Sequence, residues 1–173
     1  LAYKLYEQVK NLPIVSPHGH VDPKLFSNPD ATFGTPAELF IIPDHYVFRM
    51  LYSQGIQLED LGVPRIDGGG VESDHRKIWQ IFAENYYLFL GTPSGGWIDH
   101  SLHENLGITQ RLNGETAQDI YDEISEKIAT EEFKPRSLMK SLNIETLCTT
   151  DAATDTLCEH KAMREDGFGE NVY

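Results

Sequence analysis

Apolar and polar positions alternate along this chain with two periods, one helical and one extended. In the stretch 2–11, Leu5, Tyr6 and Val9 fall one and four apart, which predicts a helix that Pro13 stops. Leu12-Pro13-Ile14-Val15 is a short apolar run, so 13–18 reads as a strand. Residues 21–43 have no period, and Asn28-Pro29-Asp30, Gly34 and Pro36 mark loop. Within them Leu39-Phe40-Ile41-Ile42 reads as strand or buried coil. Residues 44–52 predict a helix with Pro43 and Asp44 at its start, Gly55 as its stop, and Val47, Met50 and Leu51 on the buried stripe. A long helix is predicted from a Ser73 cap to about Leu90, with Ile78, Phe82, Tyr86 and Phe89 in line.

Three more helices follow in the same way. Residues 97–107 turn Trp97, Leu102 and Leu106 inward. Thr116 opens a loose capping box before Ile120, Tyr121, Ile124 and Ile128. Pro135 starts a helix that runs to about Leu142. Residues 144–150 are apolar and β-branched and read as a second strand, and 155–164 as a last helix. The order is therefore helix, strand, a long mostly helical insert, strand, helix. Two parallel strands do not make a stable sheet alone, and a full α/β barrel takes about 250 residues. The expectation is an α/β chain that is the front part of a longer protein.

Composition narrows the function classes. The 173 residues are 40% hydrophobic and 24% charged, as in an ordinary globular protein. A net charge of -13 argues against nucleic acid and against anionic membrane surfaces, because both bind clustered Lys and Arg. No apolar run approaches the length of about 18 residues that a membrane span needs, and no signal peptide is visible. Cys148 and Cys158 are too few for a disulfide framework and fit a reducing cytoplasm. The chain begins at Leu1 rather than Met, which leaves a trimmed leader open.

Chemistry concentrates first at His18-Gly19-His20. Imidazoles one residue apart on an extended segment point to the same side and can share a metal ion, with Gly19 leaving room. Neutral imidazole suits zinc and similar metals. The competing reading is a polar turn closed by Asp22-Pro23. A second group is His45, Tyr46 and Arg49, able to move protons and grip a carboxylate, or else ordinary polar groups at a helix start. Asp99, His100 and His103 lack the spacing of a known metal motif, and Asp67-Gly68-Gly69-Gly70 lacks that of a phosphate loop. Asp151, after the second strand, sits where barrels place catalytic groups or simply caps the next helix.

Four segments, in order, resemble the uronate isomerases of the amidohydrolase superfamily: residues 5–20, Asp44-His45-Tyr46-Val47-Phe48-Arg49-Met50-Leu51, Gly91 to His100, and Leu147-Cys148-Thr149-Thr150-Asp151. The sequence departs from many members at Ser16-Pro17, where they carry Asp-Tyr, and at Ala152-Ala153, where they carry Asp-Pro. The resemblance implies a distorted (β/α)8 barrel with a large helical insertion, divided here into 1–22 (first helix and strand), 23–143 (insertion) and 144–173 (second strand and helix). It implies interconversion of D-glucuronate with D-fructuronate and of D-galacturonate with D-tagaturonate, a hexuronate as small-molecule partner, a divalent metal, usually zinc, and a cytoplasmic enzyme, with a homo-oligomer left open. It makes His18 and His20 metal ligands, Tyr46 the proton-transfer group, and His45 and Arg49 substrate-binding residues. The family's last-strand Asp, a ligand and base, falls outside these residues. Two other readings stay open: a hydrolase of the same superfamily, and a non-catalytic helical binding module.

Overall fold

The computed structural model describes residues 1–173, which divide into two compact units. The first comprises residues 1–32 and 130–173, the second 33–129. The helical insertion expected over 23–143 is therefore a compact body of narrower bounds, and 23–32 and 130–143 fold with the terminal segments. No helix is long and apolar enough to cross a membrane.

The first unit begins with α1 (Ala2–Val9) and β1 (Ile14–Ser16), the strand trimmed from the expected 13–18. β1 pairs in parallel with β2 (Ile144–Leu147), Ile14 opposite Ile144 and Ser16 opposite Leu147, with an irregularity after Ile14. Leu147 also bridges in parallel to Val172, so β2 has a neighbour on each side. The core is Phe26, Met139, Met163 and Val172, with Leu25, Ile144, Leu147 and Phe168 packed on it. It joins α2 (Lys24–Ser27), α8 (Pro135–Ser141) and α9 (Cys158–Glu165). α2 falls where loop was expected. α9 starts later than the expected 155, because the Asp155 carboxylate accepts from Leu157 N and Leu157 takes a left-handed φ of 53°. By contrast no residue of α1 is buried, and Leu12, Ile14 and Val15 are exposed as well.

The second unit is all helical. α3 (Pro36–Phe40) replaces the expected strand or coil at 39–42. Thr35 and Glu38 form a reciprocal capping box with Pro36 at the first helical position, and Ala37, Phe40 and Ile41 are buried. α4 (His45–Tyr52) follows Asp44 and buries Val47 and Leu51 as the stripe predicted. α5 (His75–Glu84) is capped by Asp74, one residue beyond the expected Ser73, and ends short of Leu90. The Asn85 side chain donates to Ile81 O at 2.8 Å, competing with the helical ladder, and a tighter turn carries Tyr86–Phe89. α6 (Pro93–His100) begins earlier than expected and passes into a wider π-type turn, Ser101–Asn105. Leu102 and Leu106 are buried there, but Trp97 remains 42% exposed, lying stacked over Phe40. α7 (Ala117–Ile128) has the predicted buried face but no side-chain cap. The Thr116 hydroxyl is already engaged, donating to Arg111 O and accepting from Asn113 N.

An aromatic cluster organises this unit. Trp79 is fully buried, its ring 5.5 Å from Phe82, and its indole N–H donates to Ala117 O at 2.8 Å, tying α5 to α7. Phe82 in turn meets Tyr86 and Phe89 edge-on. The Tyr86 hydroxyl donates to Asp99 at 2.8 Å, and burial, reinforced by that carboxylate, pushes its phenol above the usual range. Replacing Trp79 with Ala is expected to destabilise the chain by about 3–5 kcal/mol, read as a lowered urea midpoint by circular dichroism. An unchanged midpoint would contradict the placement of this ring at the centre of the unit. Asp44→Ala removes acceptors from Tyr46 N (2.8 Å) and Val47 N (3.2 Å) at the start of α4 and should cost about 1 kcal/mol in the same assay.

Candidate active site

The His pair sits just beyond the C-terminal end of β1, in a segment without regular structure of its own. There the two rings converge. Their centroids are 4.7 Å apart at an interplanar angle of 80°, and the two Nε2 atoms lie 2.8 Å from each other. In a neutral pair one Nε2–H donates to the other Nε2. With both protons on Nδ1 instead, two unprotonated Nε2 atoms lie close enough for two imidazoles to share one cation. The donor set therefore fits a zinc-type ion, and it supplies half of a four-coordinate shell. No third His, Cys, Asp or Glu completes a ligand group in these residues.

The segment after β2 lies against this turn. Cys148 N donates to Ser16 O at 2.8 Å, which extends the parallel ladder by one step. Thr150 Oγ1 then donates to Gly19 O at 2.8 Å. Thr149 Oγ1 donates to the Asp151 carboxylate at 2.5 Å, and His160 Nε2 lies 2.9 Å from the same hydroxyl. Asp151 is thus not the cap of α9; it is held on the strand end through Thr149. His160 is buried, and its Nδ1 has no hydrogen-bond partner. A cavity of about 340 Å³ is lined here by Asp22, Lys24, Thr150, Asp151, Cys158 and His160, among others. Thr150 stands in the strand-end segment singled out from the sequence, but its partner Gly19, 131 residues away, had no signal there, and neither did His160, whose partner Thr149 is 11 residues away across a loop.

His45, Tyr46 and Arg49 belong to the second unit, on α4. Asp44 caps the helix by accepting from Tyr46 N and Val47 N, so the residues named from the sequence stand in its first two turns. Val47 and Leu51 anchor the opposite face in the core. Tyr46 is 63% exposed, with its ring 4.3 Å from that of His45. Arg49 is exposed and lies four residues on from His45. His45 and Tyr46 are thus neighbours within the second unit, as His18 and His20 are within the first. The π-type turn places His103 beside Glu104 at 3.0 Å, and nothing gathers Asp99, His100 and His103 into a ligand set.

A family model described as glucuronate isomerase matches residues 1–172. Uronate isomerase of Nostoc punctiforme is 53% identical over 168 residues, covering 97% of this chain and 35% of that protein. Uronate isomerase of Mesorhizobium japonicum is 51% identical over 172 residues, covering 99% of this chain and 36% of that one. Among solved structures, the crystal structure of glucuronate isomerase from Caulobacter crescentus superposes with a TM-score of 0.92 at 45% identity, over 99% of this chain and 35% of that chain. Uronate isomerase from Thermotoga maritima gives a TM-score of 0.83 at 29% identity, over 99% and 36%. These structures share the α/β fold described above. The chain spans about a third of the length of the relatives it matches. On the match of the family model over nearly its whole length, the chain belongs to the glucuronate isomerase family.

Proposed function

We propose that this chain forms the first part of the (β/α)8 barrel of a metal-dependent uronate isomerase. The convergence of the His18 and His20 Nε2 atoms, 2.8 Å apart beyond the end of a parallel strand, is the observation that carries this reading. Parallel barrels gather their chemistry at that end of their strands. The exposed apolar residues of α1 and β1, Leu5, Tyr6, Val9 and Ile14 among them, support the barrel: they form a face that further strands and helices would cover. β2, paired on both sides, supports it as an inner strand.

The reaction in this reading interconverts D-glucuronate with D-fructuronate, and D-galacturonate with D-tagaturonate, by moving a proton between C2 and C1. His18 and His20 would hold a divalent cation, zinc by the chemistry of the donors. When bound, that cation supplies Lewis-acid polarisation of an oxygen at the reacting carbons. Tyr46 carries a proton at the C1/C2 end through its exposed phenol. Arg49 offers planar paired donors to the uronate carboxylate, and His45 binds the sugar beside Tyr46. The setting is the cytoplasm, in keeping with the free thiols Cys148 and Cys158.

The test is a graft. This chain replaces the matching third of the Nostoc punctiforme uronate isomerase, and glucuronate turnover is followed with zinc supplied. Turnover is expected, and His18→Ala with His20→Ala should abolish both it and stoichiometric zinc. Tyr46→Phe should lower kcat by about 10²–10⁴-fold. Full rates in the double His variant would overturn the metal assignment, and full rates in Tyr46→Phe would remove Tyr46 from the proton transfer.

A further inference from the structure

The turn that carries the two imidazoles is short, exposed and without a ladder of its own, yet both rings reach one point. Something outside the turn must hold it. β1 ends at Ser16, and the last backbone bond across the strand pair is Cys148 N to Ser16 O. Beyond it, two independent features join the turn to the segment after β2. The first is the Thr150 hydroxyl, which donates to Gly19 O at 2.8 Å. The second is steric. A Cβ on Gly19 would stand 2.8 Å from Cys148 O, nearer than side-chain carbons approach, and that oxygen is backbone and cannot rotate away. Gly19 is not among the glycines with positive φ. It is required for close approach, and not for an unusual backbone conformation.

We propose that Gly19 and Thr150 are positioning residues that latch the His18–His20 turn onto the end of β2 and so aim both Nε2 atoms at a single point. The latch acts through the backbone. Thr150 fixes the Gly19 carbonyl, in the peptide that joins Gly19 to His20, and the missing side chain at Gly19 lets that carbonyl come within reach. His20 follows the anchored carbonyl directly and His18 lies one peptide unit before Gly19, so a small rotation there would separate the two nitrogens. The cation part of this inference rests on the metal reading given above; the convergence of the rings does not.

Thr150→Val removes the hydroxyl at nearly constant shape, Thr150→Ser keeps it, and Gly19→Ala adds the clashing carbon. In the metal-free graft described above, with histidine selectively labelled, a nuclear Overhauser contact between the His18 and His20 ring protons is expected, since the rings lie 4.7 Å apart. It should vanish in Thr150→Val and Gly19→Ala and persist in Thr150→Ser, while hydrogen exchange of the Leu147 and Cys148 amides stays slow throughout. Titration of the same graft with Co²⁺, read by broadening of the same ring signals, should show about tenfold weaker binding in Thr150→Val than in the wild type or Thr150→Ser, in the range seen when a group supporting a ligand is lost. Thr150→Val keeping both the ring contact and the Co²⁺ affinity would overturn the latch. Loss of amide protection in Thr150→Val would also overturn it, since the residue would then be holding the strands and not the turn. Failure of the graft carrying the wild-type residues to bind Co²⁺ with the ring contacts behaving as expected would sink the metal reading and leave the latch standing.

Discussion

The parallel pairing of Ile14–Ser16 with Ile144–Leu147 is the constraint on which the first unit depends. It brings together segments that are far apart in the chain, down to a hydrogen bond between Thr150 and Gly19, 131 positions away. The entropy of closing such a loop rises only with the logarithm of its length, so a long insertion is tolerable. The intervening residues also fold on their own account. Trp79, Phe82, Phe89, Ile120 and Ile124 are buried within the compact second unit and give it a core of its own. Three or four residues per strand then suffice, because Phe26, Met139, Met163 and Val172 pack behind them.

That pairing also decides where polar chemistry can stand. Both strands run the same way, so both end on the same side, and the groups that follow them meet there. His18 and His20 follow β1; Thr149, Thr150 and Asp151 follow β2. Their hydroxyls are used in opposite directions, Thr150 toward Gly19 and Thr149 toward Asp151 and His160. On α4 a different device serves the same end. A capping carboxylate fixes the helix start, and two buried apolar side chains fix its rotation, which leaves His45, Tyr46 and Arg49 displayed. In each case the candidate side chains are set by backbone that has been held elsewhere.

How much of this was legible depended on the kind of signal. α4 was readable from its Asp44 cap, α8 from Pro135 at its start, and α7 from a 3.6-residue spacing that agrees with its buried face. α3 was missed although Thr35-Pro36-Ala37-Glu38 spells a capping box, because the apolar run after it suggested strand. The break at Asn85 was hidden because Tyr86 and Phe89 keep the apolar rhythm across it, and both remain buried in the tighter turn. Trp97 is exposed where its spacing said inward: it covers Phe40 from outside, a contact no local pattern encodes. Thr116 failed as a cap because Arg111 and Asn113 had already engaged its hydroxyl.

The sequence by itself determined the residue types at the site, the two strands, most helices and, through four colinear segments, the family. These are local properties, set by side-chain period, by capping chemistry and by which residues can ligate or titrate. Only the tertiary structure decided that β1 and β2 are neighbours, that Asp151 is bound to Thr149 instead of capping a helix, and that Gly19 lies under Cys148 O. Those facts depend on approach between segments remote in the chain, at distances where one methyl group or one hydroxyl changes the outcome. A pair of histidines one residue apart can be read in any sequence. That their nitrogens meet is a consequence of what packs against the residue between them.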